Sequence, residues 1–311
     1  MADADRYLIV SGDDFGLSPG VNAGIIRAYR DGILTSASLL VGAPATAEAV
    51  ALAHEHPGLA VGLHLALAQS RAVAPPETIP DLAGPDGAFG DAPVWSGLRY
   101  FFLPGMRTQL RREIEAQLRR FESFGLALSH VDGHMNMHLH PVVLDILVEI
   151  AADYRIGAIR LTRDPLLQAL RLDLRWPLRK AAEGAVFAAL SCRAEPRLRA
   201  RGIRFSDRLY GLHQTGAVDE PYLRSLIPSL PPGTTELYCH PGVLPDPEVA
   251  RWMPGYRHDR ELEALCSPRV RQALYEHGVT LCNYWQLRGG FGADESLAAE
   301  SAPIPSSDGA S

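Results

Sequence analysis

The chain has 311 residues, 47% of them hydrophobic, which is enough to bury the core of one large or two modest domains. Its formal net charge of −6 excludes the basic face that a nucleic-acid-binding protein needs. The four cysteines lie far apart, which excludes a Cys-x-x-Cys zinc or disulfide framework and predicts reduced thiols in a cytoplasmic protein. We expect neither a signal peptide nor a transmembrane helix, since the first residues are polar and no apolar stretch is long enough.

The first predicted strand ends in two carboxylates. Residues 7–10 form a short apolar run typical of a buried strand, and Asp13 and Asp14 follow where it stops. Ser18 and Pro19 then supply the N-cap and first position of a helix. Neighbouring residues at a strand end point to opposite sides, so the two Asp residues are expected to have different roles. Alternatively, one caps the helix and the other is solvated.

Alternating strands and helices continue along the chain. Strands are predicted at 35–41, 60–65, the approach to His130, 158–161, 234–239 and 279–282, and helices at 45–54, 106–124, 141–154, 220–230 and 268–277. About seven strand–helix units indicate an α/β protein. They favour a distorted (β/α) barrel, similar to a TIM barrel, over an open doubly wound sheet.

Three stretches depart from this alternation. Residues 66–105 contain many prolines and glycines and are predicted to be a long functional loop. Its aromatic residues, which could line an apolar entrance or belong to the core, are Trp95, Tyr100, Phe101 and Phe102. Residues 164–204 are rich in Leu, Ala and Arg and predict a helical insertion. Residues 289–311 have the composition of a disordered tail, which leaves 1–288 as the folded domain.

Histidines near the predicted strand ends indicate a metal site. His64 ends one strand, and four of the chain's eleven histidines fall within positions 130–140. One Asp and two His at strand ends would form a three-ligand site that leaves positions open for water and substrate. His134 is the natural second imidazole, whereas His130, His138 and His140 could each be packed or solvated.

Four motifs carry a resemblance to a known family. Asp13-Asp14-Phe15-Gly16, Gly62-Leu63-His64-Leu65, Asp132-Gly133-His134 and Cys239-His240-Pro241-Gly242 occur in the order of the YdjC-like carbohydrate deacetylases, which include the chitooligosaccharide deacetylases. The resemblance covers residues 6–285. Three further segments resemble the hopanoid-biosynthesis-associated branch of that family: Ser38-Leu39-Leu40-Val41, Leu139-His140-Pro141 and Tyr210-Gly211-Leu212.

The resemblance implies a barrel enzyme that hydrolyses the N-acetyl group of an amino sugar with one divalent metal ion. By position, Asp14, His64 and His134 would bind the metal, Asp13 would be the general base, and His240 the general acid. Two imidazoles and one carboxylate suit Zn²⁺, while Mg²⁺ prefers oxygen ligands. The family is usually described with Mg²⁺, so the sequence leaves the metal as Mg²⁺ or Zn²⁺.

Three further residues are candidates for substrate binding. Arg160 ends its own predicted strand and could orient Asp13 through a bidentate pair, neutralise the acidic site, or be a surface arginine. Asn136 stands where many family members have histidine, so it can hydrogen-bond a sugar hydroxyl but cannot supply an imidazole. His138 is the third candidate.

The branch resemblance implies N-acetylglucosamine carried on a hopanoid lipid, deacetylated at the cytoplasmic membrane face. The cationic and apolar residues of 164–204 predict peripheral contact with that membrane, although a solvated basic helical face would have the same composition. The alternatives are a deacetylase of soluble chitooligosaccharides, another metal-dependent barrel hydrolase such as a phosphoesterase, or an inactive carbohydrate- or lipid-binding protein. The sequence leaves a homodimer open.

Overall fold

The computed structural model describes residues 5–290. These residues fold into a parallel sheet surrounded by helices. The strands are β1 (Arg6–Phe15), β2 (Ser36–Leu39), β3 (Ala60–Leu65), β4 (Val131–Gly133), β5 (Arg208–Tyr210), β6 (Gly233–Cys239) and β7 (Val279–Cys282). The helices are α1 (Pro19–Asp31), α2 (Thr46–Glu55), α3 (Pro93–Phe102), α4 (Met106–Ser123), α5 (Pro141–Ile150), α6 (Leu166–Leu172), α7 (Pro177–Ala200), α8 (Glu220–Leu226), α9 (Pro247–Trp252), α10 (His258–Leu265), α11 (Pro268–Glu276) and α12 (Tyr284–Gly289). Short 3₁₀ helices cover Pro76–Thr78, His134–Leu139 and Ile227–Ser229.

β1 is the central strand of the sheet. The order is β4-β3-β2-β1-β6-β5, and every pairing is parallel. β7 pairs with the first residues of β1, from Arg6 to Ile9, and β2 pairs with its later residues, from Ser11 to Phe15. β1 is buried from Leu8 to Phe15, which agrees with its continuous apolar run. Its carboxyl end therefore lies between the ends of β2 and β6, where several other strands also deliver their side chains.

The predicted strand at 158–161 is replaced by isolated contacts. Ile159 forms one parallel bridge to Val131 in β4, and Ala158 forms one to Arg204. The segment lies between β4 and Arg204 and hydrogen-bonds to both through its backbone, but each contact is limited to one bridge. The architecture is a parallel-strand α/β half-barrel of seven strands with surrounding helices.

Residues 66–105 are not a continuous loop. Pro93, at the first helical position, begins α3, and Pro76–Thr78 forms a 3₁₀ turn. The loop prediction failed over α3 because most of the apolar residues of this helix face solvent, so the usual core-facing signal is missing. Tyr100 is the exception, since it is buried.

Ion pairs at two places hold the 164–204 region to the rest of the protein, and at the first of them both Arg193 and Arg197 pair with Asp145. The region contains α6 and α7, and α7 packs beside α5 through Arg193 and Asp145, whose side chains are 2.8 Å apart. At the second place, Arg163 and Glu195 pair at 2.6 Å. Among the described helices, none has the length and apolar character needed to cross a bilayer. The predicted tail, from residue 291 onward, lies outside the described residues.

Candidate active site

Polar side chains from several strand ends meet at the carboxyl edge of the sheet. Asp13 and Asp14 end β1, His64 lies near the end of β3, His134 follows β4, and His240 follows β6. Asp14 has a φ of 65°, in the left-handed region that Asp and Asn tolerate better than most residues. This turn of the backbone sends the two neighbouring carboxylates to different partners.

Asp14, His64 and His134 form a compact cluster. Oδ1 of Asp14 lies 3.3 Å from Nε2 of His64 and 3.0 Å from Nδ1 of His134. One oxygen or nitrogen atom from each residue lies within 4.8 Å of the other two, a spacing that allows all three to bind one ion. Burial opposes ionisation of Asp14, but the two nearby imidazoles outweigh it and hold the pKa of this carboxyl well below its usual value.

Asp132 orients His64 from the opposite side of its ring. Nδ1 of His64 donates to Oδ1 of Asp132 at 2.8 Å, which leaves Nε2 facing Asp14. Burial lowers the pKa of His64, but the Asp132 carboxylate and its neighbours raise it to about 10 overall. A carboxylate behind a ligating imidazole is the usual support of a metal-binding histidine. Asp132 belongs to the motif Asp132-Gly133-His134, but its role as the support of His64 was not predicted from the sequence.

Arg160 holds three buried carboxylates. Nη1 and Nη2 bind the two oxygens of Asp13 at 2.7 and 2.8 Å, a bidentate pair. Nη1 also lies 2.8 Å from Asp132, and Nε donates to Glu236 at 2.8 Å. With 1% of its surface exposed, Arg160 is not a surface arginine, and its donors face these carboxylates. A contact of Arg160 with substrate stays a prediction. Glu236, which was also not singled out, accepts a second hydrogen bond from Tyr284 at 2.6 Å.

The charge balance of this cluster fits a cation. Four carboxylates, Asp13, Asp14, Asp132 and Glu236, are buried here with one guanidinium, that of Arg160, which contacts all of them except Asp14. Buried charge of one sign is costly unless it is paired, so the excess negative charge favours a bound cation or a protonated histidine. The ligand atoms of Asp14, His64 and His134 face one another with no arginine between them, so this cluster is where a cation fits.

His240 forms the opposite wall of the site. Its ring lies between Tyr238 and Tyr256, with ring centres 5.7 and 5.1 Å away. Burial lowers its pKa to about 4, so the imidazole is neutral near pH 7. Nδ1 finds no hydrogen-bond partner within residues 5–290. The backbone N–H of His240 donates to Glu261 in α10.

The two remaining predicted residues have different environments. Asn136 is half-buried, and its Oδ1 accepts a hydrogen bond from the Thr162 hydroxyl at 2.8 Å. His138 is completely buried, and its Nε2 donates to the carbonyl oxygen of Arg160 at 3.0 Å. The ring of His138 thus supports the backbone of Arg160, and its contact with substrate stays a prediction.

The comparisons with known proteins agree with the four motifs. A family model described as YdjC-like protein matches residues 7–276. The chain is 34% identical to a carbohydrate deacetylase of Geobacillus stearothermophilus over 283 residues, which cover 90% of this chain and 97% of the relative. It is 33% identical to a chitooligosaccharide deacetylase of Salmonella schwarzengrund, covering 88% and 96% respectively. A crystal structure from Enterococcus faecalis, provisionally described as a cellobiose-phosphate cleavage protein, aligns with a TM-score of 0.72 at 26% identity, covering 92% of this chain and all of that one.

Glu261 gives the site a pH-dependent support. It is fully buried, accepts the N–H groups of Val218 and His240, and burial raises its pKa from 4.5 to about 7. The folded protein thus binds this proton more tightly than the unfolded chain. The resulting stabilisation is complete below about pH 4.5 and is lost as the pH rises through 7.

We therefore expect the Glu261→Gln variant, which cannot ionise, to gain stability relative to the wild type as the pH rises. The difference in unfolding free energy should change by up to about 3 kcal/mol between pH 5 and pH 8. Urea unfolding of both proteins at several pH values measures this difference. The loss of one carboxylate oxygen as an acceptor adds the same amount to the difference in unfolding free energy at every pH. A difference that does not change between pH 5 and pH 8 would contradict the raised pKa.

Proposed function

The chain belongs to the YdjC-like family, and from that premise we propose that it hydrolyses the N-acetyl group of an N-acetylated amino sugar. The observation that carries the proposal is the cluster of Asp14, His64 and His134 beside Asp13 at the strand ends. The family match covers residues 7–276, which include all of these residues, and relatives named for carbohydrate and chitooligosaccharide deacetylation align with 88–90% of the chain.

One divalent metal ion, Mg²⁺ or Zn²⁺, would be held by Asp14, His64 and His134. The buried excess of negative charge and the support of His64 by Asp132 favour this assignment. A bound metal would supply Lewis-acid polarisation of the amide carbonyl and a more acidic water. A second metal is not favoured, because the other acidic group, Asp13 and Asp132, is already bound by Arg160. This argues against a two-metal phosphoesterase.

Asp13 is positioned to act as the general base. Arg160 fixes both of its oxygens, and the Ser38 hydroxyl donates to Oδ1 at 3.3 Å. A carboxylate held in this way can take the proton of the attacking water. Breakage of the C–N bond then yields acetate and a free amine, whose nitrogen needs a proton. The proton that Asp13 takes from the water is the one that this nitrogen needs, and His240, which starts neutral, would accept it and pass it to the amine. Asn136 would hydrogen-bond a sugar hydroxyl.

The metal assignment predicts that alanine at any one of Asp14, His64 or His134 removes most of the bound metal and the activity. The fold should persist, because the apolar core lies beneath these residues. Elemental analysis and thermal unfolding of His134→Ala measure both effects. His54→Ala, which removes an exposed histidine from α2, is the matched control. Full metal occupancy in His134→Ala would refute the assignment.

The base assignment predicts that Asp13→Asn keeps its metal but loses about 10²- to 10⁴-fold in kcat, because an amide cannot accept the proton. The control is Asp153→Asn, which changes an exposed carboxylate. Metal content and thermal stability are measured on the same samples, since the change also disturbs the Arg160 pair. Loss of metal from a folded Asp13→Asn variant would mean that Asp13 is a metal ligand, which would contradict its assignment as the general base.

For the substrate we propose N-acetylglucosamine carried on a hopanoid lipid, with the protein bound peripherally to the cytoplasmic membrane face. Two helical surfaces support this. On α3, Trp95 and Phe102 are 68% and 78% exposed. Near the start of α7, Trp176 and Leu178 are 75% and 86% exposed. Residues 166–200 carry seven cationic and three acidic side chains, which gives this stretch a net positive charge. Such a surface suits an anionic bilayer.

This surface predicts that the protein sediments with anionic liposomes, and less so at high salt. Replacing Trp95, Phe102 and Trp176 by Ser should reduce the bound fraction severalfold, because the aromatic rings would no longer enter the interface. The control is Tyr275→Ser, which removes an aromatic residue that is 83% exposed on α11. Equal binding by the triple variant, or equal activity of the wild type on lipid-linked and soluble sugars, would favour a soluble chitooligosaccharide substrate.

A further inference from the structure

An apolar cavity of about 680 Å³ lies beside His240. Its walls come from α9, from the turn that precedes it and from the turn that follows it. The lining residues are Leu244, Pro245, Asp246, Pro247, Val249, Ala250, Met253, Pro254, Tyr256 and His258. We propose that this cavity binds a hydrocarbon group attached to the sugar. The proposal rests on the deacetylase function and adds a binding subsite to it.

Two of the lining residues also contact His240. The ring of Tyr256 lies 5.1 Å from that of His240, centre to centre. Nδ1 of His258 donates to the carbonyl oxygen of His240 at 2.7 Å. The cavity and the candidate active site therefore share one wall. A group attached to a sugar at the active site could enter the cavity without leaving the surface of the protein.

Most polar groups of the lining are already engaged, and the exception among residues 5–290 is Nε2 of His258, which is buried without a hydrogen-bond partner. Oδ1 of Asp246 accepts the N–H groups of Glu248 and Val249, and Oδ2 accepts the N–H of Gly20. The Tyr256 hydroxyl is paired with Thr215 at 3.4 Å. A second sugar would bring several hydroxyl groups that need partners, whereas a hydrocarbon needs none. The volume of the cavity falls within the usual range of about 300–1,000 Å³ for small-molecule pockets. The lining therefore selects an apolar group over a neighbouring sugar.

The test compares two soluble substrates, methyl and octyl N-acetyl-β-glucosaminide. The wild type should deacetylate the octyl glycoside with a kcat/KM about tenfold higher than that of the methyl glycoside, because only octyl reaches the cavity. Ala250→Trp fills the cavity and should bring this ratio close to one. Arg251→Ala, on the same helix but outside the lining, should keep the wild-type ratio.

A separate binding measurement uses octyl glucoside, which has no acetyl group. It should bind the wild type by calorimetry and bind Ala250→Trp at least tenfold more weakly. Deacetylation of both glycosides at equal efficiency, or an octyl preference that persists in Ala250→Trp, would overturn the subsite. Failure to deacetylate either glycoside, with octyl glucoside binding intact, would overturn the deacetylase function while supporting the cavity.

Discussion

The guanidinium of Arg160 connects the strands that build the site. It binds Asp13 at the end of β1, Asp132 in β4 and Glu236 in β6, and all four side chains are buried. Removing one partner from such a buried network costs about 3–5 kcal/mol, since the remaining charges lose their compensation. The same contacts fix the direction of each carboxylate. Arg160 therefore stabilises the sheet edge and orients the groups that meet there.

This arrangement separates two adjacent carboxylates into two environments. Asp13 has both oxygens on Arg160, whereas Asp14, with its positive φ, faces His64 and His134. A carboxylate paired with arginine competes poorly for a cation. Of these two carboxylates, Asp14 is therefore the one available to bind a metal ion. Asp132 links the two environments, because it contacts both Arg160 and His64. The Ser38 hydroxyl is a second link, since it lies 3.3 Å from Oδ1 of Asp13 and 3.1 Å from Nδ1 of His64.

The sequence predicted the strand-end residues better than their supports. The carboxyl ends of parallel strands share one edge, so Asp13, Asp14, His64 and His134 could be placed together before any contact was known. Glu236 was missed because a charged residue inside an apolar strand gives no sign of its partner, which lies 76 positions away. The helix α3 was missed because its apolar residues face solvent. A local sequence pattern indicates local structure and burial, whereas the partner of Glu236 and the exposure of α3 depend on residues that are distant in the sequence.

The surroundings of the site differ in polarity from one side to the other. On one side, the half-buried Asn136, held by the buried Thr162 hydroxyl, brings a polar amide to the site. Beyond His240 lies the apolar cavity, and α3 exposes aromatic residues to solvent. Exposed apolar surface of this extent favours aggregation unless a ligand, a lipid or another protein covers it. A site that acted only on free oligosaccharides would gain nothing from keeping such surface. The two kinds of surface together therefore favour an amphiphilic substrate, with a sugar at the carboxylates and a hydrocarbon portion beyond His240.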